Sequence, residues 1–318
     1  PATIGELLPA ADRQPVAAAG DVEPRHEQPA LELGLPPAPR ALPVSRLSYT
    51  GLEAYRRCGY RFYLERALGF RPVESPLPPE LPGGEAGMTA LLRGSIVHSL
   101  IERLDFERPV VPPDADIESE IERHGVPARP EDVADLRAMV ERVAGSRLRE
   151  RIAAARRFRT ELPFTFTLTP PGAGGRNLLM NGVVDVHAVE EGGTLVVDWK
   201  SDVLDGGEPE ALVAESYSTQ RIVYALAALR SGAERVEVAH CFLERPDEPA
   251  VAVYEAADAA RLERELIELA RGVVERSFTP SSAPHAALCA DCPGREALCI
   301  HGPELTLRAG GRVLHSGT

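Results

Sequence analysis

Apolar and polar positions change their period in blocks along this chain. From residue 46 the spacing is helical. "RLSYTGLEAYRRCGYRFYLERALGF" sets Leu52, Tyr55 and Phe62 among polar neighbours, and Ser48 or Thr50 can cap the start. "MTALLRGSIVHSLIERLDF" places Leu92, Ile96, Leu100 and Leu104 on one stripe. Pro-containing segments follow. A helix is then predicted from about Pro130 to Arg157, ending in an arginine run: Arg147, Arg149, Arg151, Arg156, Arg157 and Arg159. From there the period falls to two. "ELPFTFTL" alternates, and "LLMNGVVDVHAV" and "TLVVDWKS" flank "EEGG" as the arms of a hairpin. "SYSTQRIVYALAALRSG" predicts one helix closed by Gly232. "VEVAHCFLER" and "AVAVYEA" read as strands, and residues 257 to 276 as a long amphipathic helix. Helices, a mostly antiparallel sheet, a crossover helix and more strand define an α/β or α+β chain.

The flanks differ. Residues 1 to 44 are rich in Pro, Ala and Glu without periodicity and are expected to be a disordered linker. Residues 45 to 303 are expected to form one domain, and 304 to 318 a tail. Starting at Pro1 inside that tract, the chain is expected to be the later part of something longer. No apolar run reaches the roughly 18 residues of a membrane span, and no signal peptide opens the chain, so a cytoplasmic protein without membrane contact is expected. The net charge of −13 argues against a general nucleic-acid coat protein. It leaves a nuclease open, because acidic residues also build metal sites.

The hairpin carries the chemistry. With Glu190 to Gly193 as the loop, Val189 pairs with Thr194. The same register sets Asp185 opposite Asp198 and Val183 opposite Lys200. Asp198 and Lys200 then share one face, joined by Asp185, while Leu195, Val197 and Trp199 face the core. Two carboxylates about 5 Å apart repel unless a cation sits between them or one takes a proton. Oxygen ligands suit hard ions such as Mg²⁺ or Mn²⁺, which activate water and polarise a phosphodiester. Lys200 is the sole lysine among 35 cationic residues, and Trp199 the sole tryptophan. An ammonium is a compact point charge that fits where a guanidinium does not. The same pattern also describes an Asp–Lys ion pair on a sheet face.

Five cysteines complete the picture: Cys58, Cys241, Cys289, Cys292 and Cys299. Three crowd together late in the chain. In a cytosolic protein that points to metal binding rather than disulfides, and four cysteines also suit zinc. Cys241 falls inside a strand and reads as a small buried hydrophobe.

"GVVDVHAV…LVVDWKSD" resembles the PD-(D/E)XK nuclease superfamily in its RecB-like form, with Asp185, Asp198 and Lys200 on the motif. "RGSIVHSLIERL" is similar to the helix that gives this family a metal-binding histidine, here His98. "QRIVY" resembles its Q-x-x-x-Y motif, with Gln220 and Tyr224 on one helix face and Tyr217 beside them. Glu161 in "TELPF" matches a family-typical acidic position weakly. Cys58 with "CADCPGREALC" resembles the iron–sulfur staple of AddB-type nucleases, departing from C-x2-C-x5-C by one residue.

The resemblance implies a restriction-endonuclease-like α/β core, with a mixed central sheet flanked by helices, a helical N-terminal part and a cysteine staple. It implies a Mg²⁺- or Mn²⁺-dependent deoxyribonuclease acting on single strands or DNA ends. His98, Asp185, Asp198 and the Trp199 carbonyl would hold the metal. Lys200, with Gln220 and Tyr224, would serve catalysis, and Tyr217, Gln220 and Tyr224 would contact DNA. Cys58, Cys289, Cys292 and Cys299 would hold a [4Fe–4S] cluster, with Zn²⁺ the alternative. No G-x-x-x-x-G-K-[ST] occurs, so an ATPase must come from elsewhere. A UvrD-like helicase, fused upstream or separate, is the implied partner in double-strand-break processing. The alternatives are a stand-alone exonuclease of the CRISPR-adaptation type and a non-catalytic DNA-binding scaffold.

Overall fold

Strand β3 organises the molecule. The computed structural model describes residues 42–76 and 88–309. The expected linker therefore lies outside the described residues apart from 42–44, as does 310–318 of the expected tail. β2 (Arg157–Leu168) pairs antiparallel with one edge of β3 (Leu178–Val189), interrupted only at Glu161 and Asp185. The other edge is shared. Its start pairs in parallel with the two-residue β1 (Arg46–Leu47), and its end pairs antiparallel with β4 (Thr194–Lys200). Beyond β4 come β5 (Arg235–Phe242), parallel to it, and β6 (Ala250–Glu255), antiparallel to β5. Between the β1 and β4 pairings, residues 181–185 of β3 have no strand on that edge.

All seven residues of β4 are buried, as befits a central strand covered on both sides. Leu195, Val197 and Trp199 enter one core with Ile96, Leu100, Ile117, Leu136 and Ile152. Those side chains come from α3 (Ala90–Glu102), α4 (Asp114–Arg123), α5 (Pro130–Ala144) and α6 (Arg147–Ala153). Val196 enters the second core with Leu52, Val223 and Leu266. These belong to α1 (Tyr49–Arg57), α8 (Ser218–Arg230) and α9 (Ala259–Val274). Each such aliphatic side chain contributes about 1.5–3 kcal/mol by leaving water. Among the described residues, no helix is long and apolar enough to cross a membrane.

The helical period is right in kind and wrong in extent at three places. The helix predicted over 130 to 157 is two. α5 ends at Gly145, and Ser146 caps α6 by accepting a hydrogen bond from the Arg149 N–H at 3.1 Å. Arg157 already lies in β2. The helix predicted through 216 to 232 is also two, α7 (Pro209–Ser216) and α8, broken where Tyr217 leaves helical geometry (φ −124°, ψ 8°). α1 stops at Arg57 because Cys58 is extended. A short α2 (Gly59–Phe62) follows and runs into a π-helical turn, Tyr63–Ala67. α4 lies in the Pro-containing stretch, where no helix was expected.

The arginine run is mostly a set of ion pairs. Arg147 meets Asp247, Arg151 bridges Glu190 and Glu237, and Arg156 meets Glu191.

Candidate active site

β2 and β3 lose their regular pairing at one place. Thr160 faces Val186 and Leu162 faces Val184, but Glu161 and Asp185 between them are not ladder partners. Glu161 is held at φ 46°, a left-handed conformation costly for a residue with a Cβ. The kink switches faces. Phe158 and Val186 pack into the first core, Leu162 and Val184 into the second, although all four are even-numbered.

The hairpin register agrees with the loop-length argument from Val189↔Thr194 to Val186↔Val197. There the ladder stops. Asp185 with Asp198, and Val183 with Lys200, were expected as facing pairs and are not paired. The reason is local: the Asp185 carboxylate accepts the Trp199 N–H at 2.6 Å, in place of a backbone carbonyl. The strands part at the point where the carboxylates gather.

His98, on α3, closes this opening. Its Nε2 lies 2.8 Å from the Trp199 carbonyl oxygen, and its Nδ1 lies 3.5 Å from Asp185 Oδ2. His98, Glu161 and Asp185 bring three ligand atoms within 4.8 Å of one another, the one such set among the described residues. Asp198 stands behind them with its own network. Its Oδ1 accepts from Gln220 Nε2 at 2.7 Å and from the Tyr224 hydroxyl at 3.2 Å, and its Oδ2 lies 2.7 Å from Lys200 Nζ. The Tyr224 hydroxyl also reaches the Val183 carbonyl at 2.9 Å, on the unpaired edge of β3. Gln220 and Tyr224 are buried, and their polar ends turn inward onto Asp198. Tyr217 is buried too. Its hydroxyl donates to Asp202 at 2.8 Å, and its ring lies under the Lys200 ammonium at 4.0 Å.

The charges sort by surroundings. Burial, then the neighbouring Asp198, raises Asp185 well above the usual carboxylate range. Asp198 goes the other way: burial opposes ionisation, but the Lys200 ammonium prevails and holds it low. Partial burial, then Asp185 and Glu102, pushes Glu161 up to about 7. Burial lowers His98 and keeps the imidazole neutral. Two carboxylates reluctant to ionise beside a neutral imidazole form a set that a divalent cation would stabilise. The site thus contains His98, Asp185, Asp198, Trp199, Lys200, Gln220 and Tyr224, all named from sequence, with Glu161 nearer its centre than its weak motif match indicated. Sequence reasoning missed His240. It lies beside Asp198 on β5, wholly buried, stacked on Tyr217 at 6.0 Å between ring centroids.

The cysteines are placed at the far end of α1. Cys58, Cys289, Cys292 and Cys299 line one small cavity with Arg61 and Arg295. Arg61 ties this corner together by a bidentate pair to Asp291 at 2.8 and 2.9 Å. Among the described residues, no three cysteine sulfurs lie within 4.8 Å of one another. Cys241 is fully buried within β5, as expected.

Residues 46–299 match the PD-(D/E)XK nuclease superfamily. The chain is 26% identical over 171 residues to an ATP-dependent helicase/nuclease of Bacillus cereus, in its A subunit, a match covering 46% of this chain and 13% of that protein. It is 26% identical over 166 residues to the protein of the same name from Acetivibrio thermocellus, covering 49% and 13%. The matches thus span only 13% of the length of these curated relatives.

Proposed function

The chain belongs to the PD-(D/E)XK nuclease superfamily, and from that premise we propose that it is a Mg²⁺- or Mn²⁺-dependent deoxyribonuclease acting on single strands or DNA ends. The observation that carries the reading is the His98, Glu161 and Asp185 set, within 4.8 Å, beside the Asp198–Lys200 pair. His98, Asp185, Asp198 and the Trp199 carbonyl would hold the ion, with Glu161 joining them. His98 Nε2 and the Trp199 carbonyl oxygen lie 2.8 Å apart, so both would be at hand for the same ion. Bound there, the ion would polarise a phosphodiester and make a nucleophile of water.

The protein's own groups do the rest. Lys200 is fixed between the Asp198 carboxylate and the Tyr217 ring, so its ammonium is aimed without rotamer search. It would donate to a non-bridging phosphate oxygen as charge grows there. Gln220 and Tyr224 hold Asp198 in place and act as positioning residues.

We propose that the cysteine corner holds a [4Fe–4S] cluster, with Zn²⁺ the alternative; what supports a metal centre there is that Cys58, Cys289, Cys292 and Cys299 line one cavity. The helicase/nuclease relatives support a helicase partner, within one longer chain or as a separate protein.

The test is cleavage of end-labelled single-stranded and duplex DNA against Mn²⁺ concentration. Activity should vanish with chelator and return with metal. Asp198→Asn should lose at least a hundredfold while circular dichroism stays unchanged. Cleavage that persists in chelator would sink the metal reading.

A further inference from the structure

In a chain of net charge −13, arginines without an acidic partner are informative. About half of the chain's arginines form ion pairs among the described residues. Arg46, on β1, and Arg66, on the π-helical turn, form no ion pair among the described residues, and both are exposed. They line the same groove. It encloses about 460 Å³ between β1, the first turn of α1, Phe62, Arg66 and Asn181 of β3, and among the described residues no carboxylate lines it.

Topology gives the groove a direction. β1 holds the start of the shared β3 edge and β4 holds its end, so the unpaired stretch 181–185 runs from groove to site. Asn181 marks one end and Asp185 the other. Four residue steps of strand separate them by roughly 13 Å, about two phosphodiester steps of an extended strand. α1 connects the same two places. Its capping Ser48 lines the groove, while Tyr49, the next residue, packs edge-on against Tyr224 at 6.3 Å. The first-turn amides of this nine-residue helix add to the positive field of the groove.

We propose that this groove seats the sugar–phosphate backbone of the substrate strand about two nucleotides from the bond that is cut, with Arg46 and Arg66 as its charge contacts. The proposal rests on the nuclease reading for where the groove leads, but not for whether it binds a polyanion. Two arginines over flexible phosphates give affinity without sequence preference, as a DNA-end nuclease requires.

The experiment uses the full chain, in chelator so that nothing is cut. Binding of a fluorescein-labelled oligothymidylate is followed by anisotropy at several salt concentrations. Arg46→Ala/Arg66→Ala should bind at least tenfold more weakly, with the slope of log K against log salt reduced by about 1.4, from two lost contacts at about 0.7 each. Arg46→Lys/Arg66→Lys should recover most of the affinity. Arg264→Ala, on α9 far along the chain and also without an ion pair among the described residues, is the control and should bind like the parent. Circular dichroism confirms the fold of each. Equal binding by the alanine pair and the parent overturns the proposal, as does an equal loss in Arg264→Ala. A parent that binds through these arginines yet cuts nothing with Mn²⁺ defeats the nuclease reading and leaves the groove standing.

Discussion

Lys200 and His240 are both buried, and both lie against the Tyr217 ring. The Lys200 ammonium is held by Asp198 at 2.7 Å and lies over the Tyr217 ring at 4.0 Å. A guanidinium at the same place must fit a planar fork into a space shaped for one nitrogen. Lys200→Arg should therefore fold and lose about a hundredfold in cleavage rate; retained activity would show that any cation serves. His240 stays neutral. Both ring nitrogens lack a hydrogen-bond partner among the described residues, and burial pulls its pKa down to about 3. Unfolded, it titrates near 6.5. Its stability contribution is thus present above pH 6.5 and is lost as pH falls toward 3, because the unfolded chain binds a proton there that the folded chain refuses. Across that window it adds a slope of about 1.4 kcal/mol per pH unit. Urea unfolding at pH 6 and pH 5 should show His240→Leu with a slope shallower by that amount, and equal slopes would place the titration elsewhere.

At the level of elements, the site is made by departures from regularity, and this decides what could be read in advance. The hairpin register followed from loop length, so Asp198, Lys200 and the buried face of β4 were legible. The parting of the strands beyond Val186 was not, because Asp185 replaces a backbone acceptor with a side chain. Nor was the kink at Glu161, since left-handed geometry is ordinarily announced by glycine or asparagine and here falls on a glutamate. The break at Tyr217 had no signal either: the residue is anchored by Asp202, His240 and Lys200, contacts that exist only after folding. The kink yields a prediction of opposed effects. Glu161→Gly relieves the strained φ and should raise stability by up to about 1 kcal/mol. It also removes a ligand from the His98 and Asp185 set. Thermal unfolding should shift upward while Mn²⁺ affinity by calorimetry falls at least tenfold. A variant that is both less stable and equally good at binding Mn²⁺ would mean that Glu161 is structural.

Across the whole molecule, the cysteine corner joins the two ends of the domain. Cys58 lines one cavity with Cys289, Cys292 and Cys299, Arg61 meets Asp291, and Tyr60 N–H bonds the Thr279 carbonyl at 3.1 Å. A cluster bound there closes a loop of more than 200 residues, so its binding free energy becomes folding free energy. Protein purified without oxygen should be brown, with about four iron and four sulfide per chain. Cys58→Ala should bleach it and lower its melting temperature, and Cys241→Ala should leave the colour intact. One zinc and no iron would replace the cluster but keep the staple; a colourless, metal-free protein of unchanged stability would remove both.

That corner also sets a clock on the ribosome. Arg61 and Asp291 are 230 residues apart in sequence. At 5–20 residues per second, α1 and α2 wait about 10 to 50 seconds for the segment that covers them. During that interval Cys58 is without Cys289, Cys292 and Cys299, and Phe62 and Tyr55 lack Phe278, their aromatic neighbour in the finished domain. Nascent chains are therefore most exposed to oxidation and to mispairing before residue 299 emerges, and slow synthesis of the last third lengthens that interval directly.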